Sequence, residues 1–198
     1  MTSKSIGIDL DNTLINYDVS AVIYAKQLGM YDIENLSDLR IHLRKIEDLE
    51  WQRAQAWIYT DGLEFAHLAR GWKDFLNFLT KTSTSLFIVS HKTKFSQIDS
   101  KGPNFHECAQ RWLKTNLGIK GLAQVHSIFF EPSRIAKLNR INSLNLSAFV
   151  DDLPEVLKDP SFPRGVKPIL FDPHGRYNAT RSMPSVDSLS QVEFYVQH

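Results

Sequence analysis

Five short stretches of mostly apolar residues recur along the chain, at residues 5–10, Leu86–Val89, Ser127–Phe130, Ser147–Val150 and Pro168–Phe171. None alternates apolar with polar positions, as a strand with one wet face would. Runs of this kind predict strands covered on both faces, the mark of a parallel sheet whose crossovers are helices. The intervening segments supply those helices. Trp72, Phe75, Leu76 and Leu79 share one helical face over residues 71–79, while Phe105, Cys108, Ala109, Trp112 and Leu113 follow the i, i+3, i+4, i+7, i+8 pattern. Asn104, with Glu107 three positions on, can cap that second helix. Shorter helices are expected at 133–144 and 154–158. Strand and helix thus alternate, which predicts an α/β fold with a doubly wound, mainly parallel sheet.

One region interrupts the alternation. From about Tyr17 to Leu68 there is no convincing strand, and Leu39, Leu43, Ile46, Leu49, Ala54, Trp57 and Ile58 give an amphipathic face set among Arg40, Arg44, Lys45, Glu47, Glu50 and Arg53. The expected organisation is an α/β core from residues 1–16 and 69–198, with a small helical insert at 17–68. Beyond about Asp172 the chain is rich in Pro, Ser and Asn and is expected to run as a surface segment.

At 198 residues the chain can bury a good core. Its net charge of +1 comes without long basic or acidic tracts, so composition offers no case for a nucleic-acid or membrane partner. A small-molecule partner is expected. Met1-Thr2-Ser3-Lys4 leads directly into the first strand, and no apolar stretch is long enough to span a bilayer. A single cysteine, Cys108, suits a reducing compartment, so a cytoplasmic location is expected.

The chemistry gathers at strand ends. In Ser5-Ile-Gly-Ile-Asp9-Leu-Asp11-Asn12-Thr13 the two aspartates stand at i and i+2, on one side of a strand that is just ending. Two converging carboxylates call for a cation, a proton, or both. Ligand sites of open α/β sheets lie beyond the carboxyl ends of the strands, and Ser90, Asp151 and Asp152 occupy such ends. Lys137, on the helix before the fourth strand, can reach the same place. Carboxylates, a hydroxyl and a lysine together describe a site for a phosphoryl group and a hard metal ion. The histidines lack metal-ligand spacing, and no Gly-rich nucleotide loop occurs, so zinc and dinucleotide chemistry are not expected.

At these residues the sequence resembles the haloacid dehalogenase superfamily of phosphohydrolases. Its four short motifs occur in order: a strand then DxDx(T/V) at Ile6–Thr13, a strand then Ser at Leu86–Ser90, a lysine at Lys137, and an acidic pair after a strand at Asp151-Asp152. The resemblance implies that Asp9 is the nucleophile, forming an aspartyl-phosphate, and that Asp11 protonates the leaving oxygen and then activates water. It implies Mg²⁺ held by Asp9, the Asp11 backbone carbonyl, Asp152 and Asp151, and a phosphoryl group held by Ser90 and Lys137. Asn12 and His91 are further candidates for the phosphate. A cap inserted between the first two motifs implies a small phosphorylated metabolite, with Arg40, Arg44 and Arg53 as charged cap candidates.

Some choices stay open. Ser90 also reads as an ordinary turn residue, Lys92 and Lys158 rival Lys137, and Asp151, Asp152 and Glu155 compete for the metal. Asp11 favours phosphoester over carbon–halogen chemistry, since halide leaves without a proton. A phosphotransferase or phosphomutase on the same fold, and a non-catalytic phosphate-binding member, are the alternatives to a phosphatase. The oligomeric state is not legible in the sequence.

Overall fold

Strands that are apolar on both sides bury their faces only in a sheet sandwiched by other elements, and the chain builds one. The computed structural model describes residues 4–177 and 183–196. Its contacts divide the chain into two compact units. One comprises the described residues within Met1–Leu14, Leu68–His91 and Leu117–His198; the other comprises Ile15–His67 and Lys92–Asn116.

The first unit holds a six-stranded sheet: β1 (Ser5–Ile8), β2 (Ser85–His91), β3 (Val125–Glu131), β4 (Ala148–Asp151), β5 (Lys167–Phe171) and β6 (Ser185–Val186). The strand order is β3-β2-β1-β4-β5-β6, and every pair is parallel. The order reverses at β1, as the doubly wound pattern requires, because right-handed crossovers leaving on opposite sides place helices on opposite faces. One face packs Val89, Phe149 and Leu170 against Leu138, Ile141, Val156 and Leu157. These last four belong to the helices Arg134–Ser143 and Pro154–Leu157. The helix Trp72–Lys81 buries Trp72, Phe75, Phe78 and Leu79. Phe78 thus takes the place expected of Leu76.

Three elements depart from expectation. β3 is an edge strand and only its last residue, Glu131, is buried. The tail does not run over the surface: β6 extends the sheet, and Met183, Val186, Leu189, Val192 and Val196 are buried. Its apolar residues recur every three or four positions inside a Ser- and Pro-rich composition, and burying that stripe outweighs the composition. The part of the tail at 178–182 and 197–198 lies outside the described residues, as do residues 1–3. The third departure is the helix Phe105–Asn116, which belongs to the second unit although the alternation assigned it to the core.

That second unit contains the helices Asp18–Gln27, Leu36–Ile46 and Asp48–Ile58, within the stretch read from sequence as a helical insert. Asn35 caps the second of these, its side chain accepting the Asp38 N–H at 3.0 Å. The residues 92–116 join through aromatic contacts. Phe105 meets the Tyr59 ring edge-on at 5.5 Å, and the Trp112 indole donates to the Leu63 carbonyl at 3.1 Å. Burying large rings with their polar handles satisfied is favourable enough to recruit the segment. Trp57 and Tyr59 are packing residues, against Phe65 and Tyr17 respectively. Arg44 and Arg53 pair at the surface with Asp48 and Glu50.

No helix among the described residues is long and apolar enough to cross a membrane. Gly7 sits in central β1 between Phe87 of β2 and Phe149 of β4. A methyl group there would overlap the side chains of Phe149 and Leu146. Gly7→Ala is expected to cost about 1–3 kcal/mol by overpacking, read as a lowered urea midpoint at unchanged slope.

Candidate active site

The strand order turns between β1 and β4, and the crevice beyond their carboxyl ends is where a doubly wound sheet binds ligands. Asp9 follows the last residue of β1, and its N–H donates to the Val150 carbonyl of β4 at 2.8 Å. β4 itself ends on Asp151. Adjacent strand ends therefore deliver two carboxylates side by side, 5 % and 0 % exposed. Such a pair cannot stay ionised in the interior without a counter-charge.

Lys137 supplies it. Ser133 starts the helix Arg134–Ser143 by accepting the Ala136 N–H at 3.1 Å, and the buried face of that helix is Lys137, Leu138 and Ile141. The Lys137 ammonium, 2 % exposed, donates to Asp9 Oδ1 and, at 2.7 Å, to Asp151 Oδ2. Burial alone disfavours that ammonium, but the carboxylates of Asp151 and Asp9 outweigh it and raise its pKa above the ordinary lysine value. The rival lysines lie elsewhere. Lys158 is exposed, and Lys92 belongs to the second unit, its Nζ 3.2 Å from the centre of the Tyr59 ring.

Asp152 completes an acidic group. Asp9, Asp151 and Asp152 each offer a carboxylate oxygen within 4.8 Å of the others. Glu155, the third candidate read from sequence, is exposed and outside this group. The Asp9 carboxyl is pushed well above its ordinary pKa, chiefly by burial; Lys137 opposes this, while Asp151, Asp152 and Asp11 add to it. One ammonium thus faces more negative charge than it can balance. An all-oxygen, anionic donor set with charge left over suits a hard divalent cation.

The remaining residues read from sequence divide. Ser90, near the end of β2, is buried and donates its hydroxyl hydrogen bond to Asp11 Oδ2 at 3.2 Å. Asp11 itself is half-buried. His91 ends β2 and is exposed, and its pKa is lowered by partial desolvation and by Lys137 and Arg134, against a pull from the Pro132 carbonyl. Asn12, expected at the phosphate, instead gives its amide to Asp152 Oδ2 at 3.1 Å. It sits at φ +63°, a left-handed turn that asparagine tolerates better than most residues. Thr13, which sequence reasoning used only as part of a motif, is fully buried. Its hydroxyl donates to Asp152 Oδ1 at 3.4 Å and accepts the Asp152 N–H at 3.1 Å.

Asp9 carries a stability cost that can be measured. A carboxyl whose folded pKa lies above its unfolded value stabilises the fold fully below the unfolded pKa and loses that stabilisation as pH rises through the folded one. In metal-free protein the Asp9 contribution to stability is therefore expected to fall as pH climbs above 3.8, the unperturbed value. Asp9→Asn should flatten that part of the pH dependence. Lys137 keeps its bond to Asp151 in that variant. Thermal melts in a chelator across the acid-to-neutral range are the check.

No protein-family model matches the chain, and no curated protein matches it either. Solved structures do. A haloacid dehalogenase-like hydrolase from Streptococcus pneumoniae superposes with a TM-score of 0.64 at 16% identity, over 98% of this chain and 99% of its own. A protein from Clostridium acetobutylicum, described as a predicted phosphatase, gives 0.61 at 13% identity, over 100% and 99%. YfnB from Bacillus subtilis, solved bound to magnesium, gives 0.59 at 12% identity over the whole of both chains. With the reversal of strand order at β1 and the polar residues at the ends of β1, β2 and β4, these likenesses establish that the chain has the haloacid dehalogenase-like α/β fold.

Proposed function

We propose that the protein is a Mg²⁺-dependent phosphatase that hydrolyses a small phosphorylated metabolite through an aspartyl-phosphate on Asp9. The observation that carries this reading is the Asp9–Lys137–Asp151 arrangement at the switch of the sheet, with Asp152 beside it. It is supported by the likeness of fold to hydrolases and to a predicted phosphatase.

The residues divide the work. Asp9 is backed by Lys137 on one oxygen, which holds the carboxylate still and leaves the other oxygen to attack phosphorus. As that bond forms, the bond from phosphorus to the leaving oxygen breaks, and Asp11 gives that oxygen its proton. Asp11 then takes a proton from water, which attacks phosphorus and breaks the bond to Asp9, so that both side chains return to their starting forms. Ser90, hydrogen-bonded to Asp11, holds its carboxyl in place between the two proton transfers. Lys137 carries positive charge to the phosphoryl oxygens as charge builds on them. Asp9, Asp151 and Asp152 would hold Mg²⁺, which supplies charge neutralisation for the phosphoryl group when bound.

The test is an assay of the purified protein with Mg²⁺ against a panel of phosphorylated metabolites, releasing inorganic phosphate. Asp9→Asn is expected to lower turnover on the order of 10³-fold or more, and Asp11→Asn to slow it while leaving substrate binding. Chelation should abolish release, and added Mg²⁺ should restore it. Turnover that survives Asp9→Asn would sink the nucleophile assignment, and a product that keeps its phosphate at a new position would mark a phosphomutase.

A further inference from the structure

Two of the three clustered carboxylates are fixed by the buried lysine: Asp9 and Asp151 both bond Lys137. Asp152 is held by other means. The Asn12 amide takes one oxygen and the Thr13 hydroxyl takes the other, and that same hydroxyl accepts the Asp152 N–H. One short turn therefore holds the backbone and both carboxylate oxygens of a residue 139 or 140 positions away. The turn is itself held rigid. The Leu14 N–H closes it on the Leu10 carbonyl at 3.0 Å, Thr13 is fully buried, and its β-branched side chain has few rotamers to choose from.

These donors are neutral. A lysine or arginine on Asp152 would orient it equally well but would repel an incoming cation. An amide and a hydroxyl fix the direction of the carboxylate without adding positive charge beside it. Hydrogen bonds of this kind to a ligating carboxylate tune metal affinity as strongly as many ligands do.

We propose that Asn12 and Thr13 are positioning residues for Asp152, aiming its carboxylate so that the acidic group binds Mg²⁺; Asn12 acts on the metal site and not on the substrate phosphate. This rests on the reading of Asp9, Asp151 and Asp152 as the metal-holding group. The variants that isolate the interaction are Asn12→Gly, which suits the φ of +63° and removes only the amide, and Thr13→Val, which keeps the branched shape and removes both hydrogen bonds. Thr13→Ser keeps the hydroxyl and serves as the rescue.

Mg²⁺ alone, with no substrate, is titrated calorimetrically into the full chain. Asn12→Gly and Thr13→Val are each expected to raise the Mg²⁺ dissociation constant about 10–100-fold, and Thr13→Ser to return it to the wild-type value. Melting in a chelator separates folding from binding. A lowered melting temperature with an unchanged dissociation constant makes the pair merely structural and overturns the proposal. Should Thr13→Val fail to fold, the Asn12→Gly constant decides alone, because its substitution leaves the buried hydroxyl in place. Wild-type protein that binds no Mg²⁺ overturns the metal-site reading and this proposal together, whereas wild-type binding that neither variant weakens overturns the proposal only.

Discussion

A buried ammonium shared by two buried carboxylates is the interaction on which the rest of this molecule turns. Lys137, Asp9 and Asp151 come from three separate elements, and Lys137 lies 128 positions from Asp9. Taking three ions out of water is expensive, and their mutual attraction repays the cost only when geometry is good and no member is missing. The triad thus sets exacting terms for the fold. β1 and β4 must end level with one another, which the Asp9 N–H to Val150 carbonyl bond secures, and the helix carrying Lys137 must lie over them. The strand reversal beside β1 meets the first demand. The packing of Leu138 and Ile141 among the core residues of one sheet face meets the second.

This also explains why the site remains under tension. Lys137 is outnumbered by Asp9, Asp151 and Asp152, and burial, with the neighbouring carboxylates adding to it, pushes the Asp9 pKa up. A protein selected for stability alone would fill this place with well-packed apolar side chains. Retaining clustered carboxylates at the switch of a sheet makes sense if a divalent cation completes the balance.

Much of this was legible in the sequence because it is local. Unbroken apolar runs gave the strands of the sheet apart from β6, and a two-residue spacing placed Asp9 and Asp11 at the end of the first. What escaped were outcomes of competition over long range. The helix at 105–116 has the pattern of any crossover helix, and contacts such as those with Tyr59 and Leu63, far off in sequence, draw it into the second unit. The tail's buried stripe at 183–196 was hidden because Ser and Pro dominate its composition while its few apolar residues carry the energy. Among the lysines, no spacing rule separates Lys137 from Lys92 or Lys158. Position on the buried face of one helix does, and that is a property of the packed sheet.

The proposed division of roles between Asp9 and Asp11 fits where the strand stops. Asp9 stands at its very end, anchored through its own N–H to β4, sealed from water and bonded to Lys137. Asp11, two residues on, has already entered the turn, is half-buried, and accepts the Ser90 hydroxyl at 3.2 Å. A group that attacks must be held at one distance from phosphorus, so rigidity and a fixed charge partner favour Asp9. A group that delivers a proton and later removes one must reach both a leaving oxygen and a water molecule, so partial exposure favours Asp11 for that proposed role. Two identical side chains, separated by one leucine, meet different surroundings because Asp9 is still bonded to β4 just past the end of β1 while Asp11 lies farther along the turn.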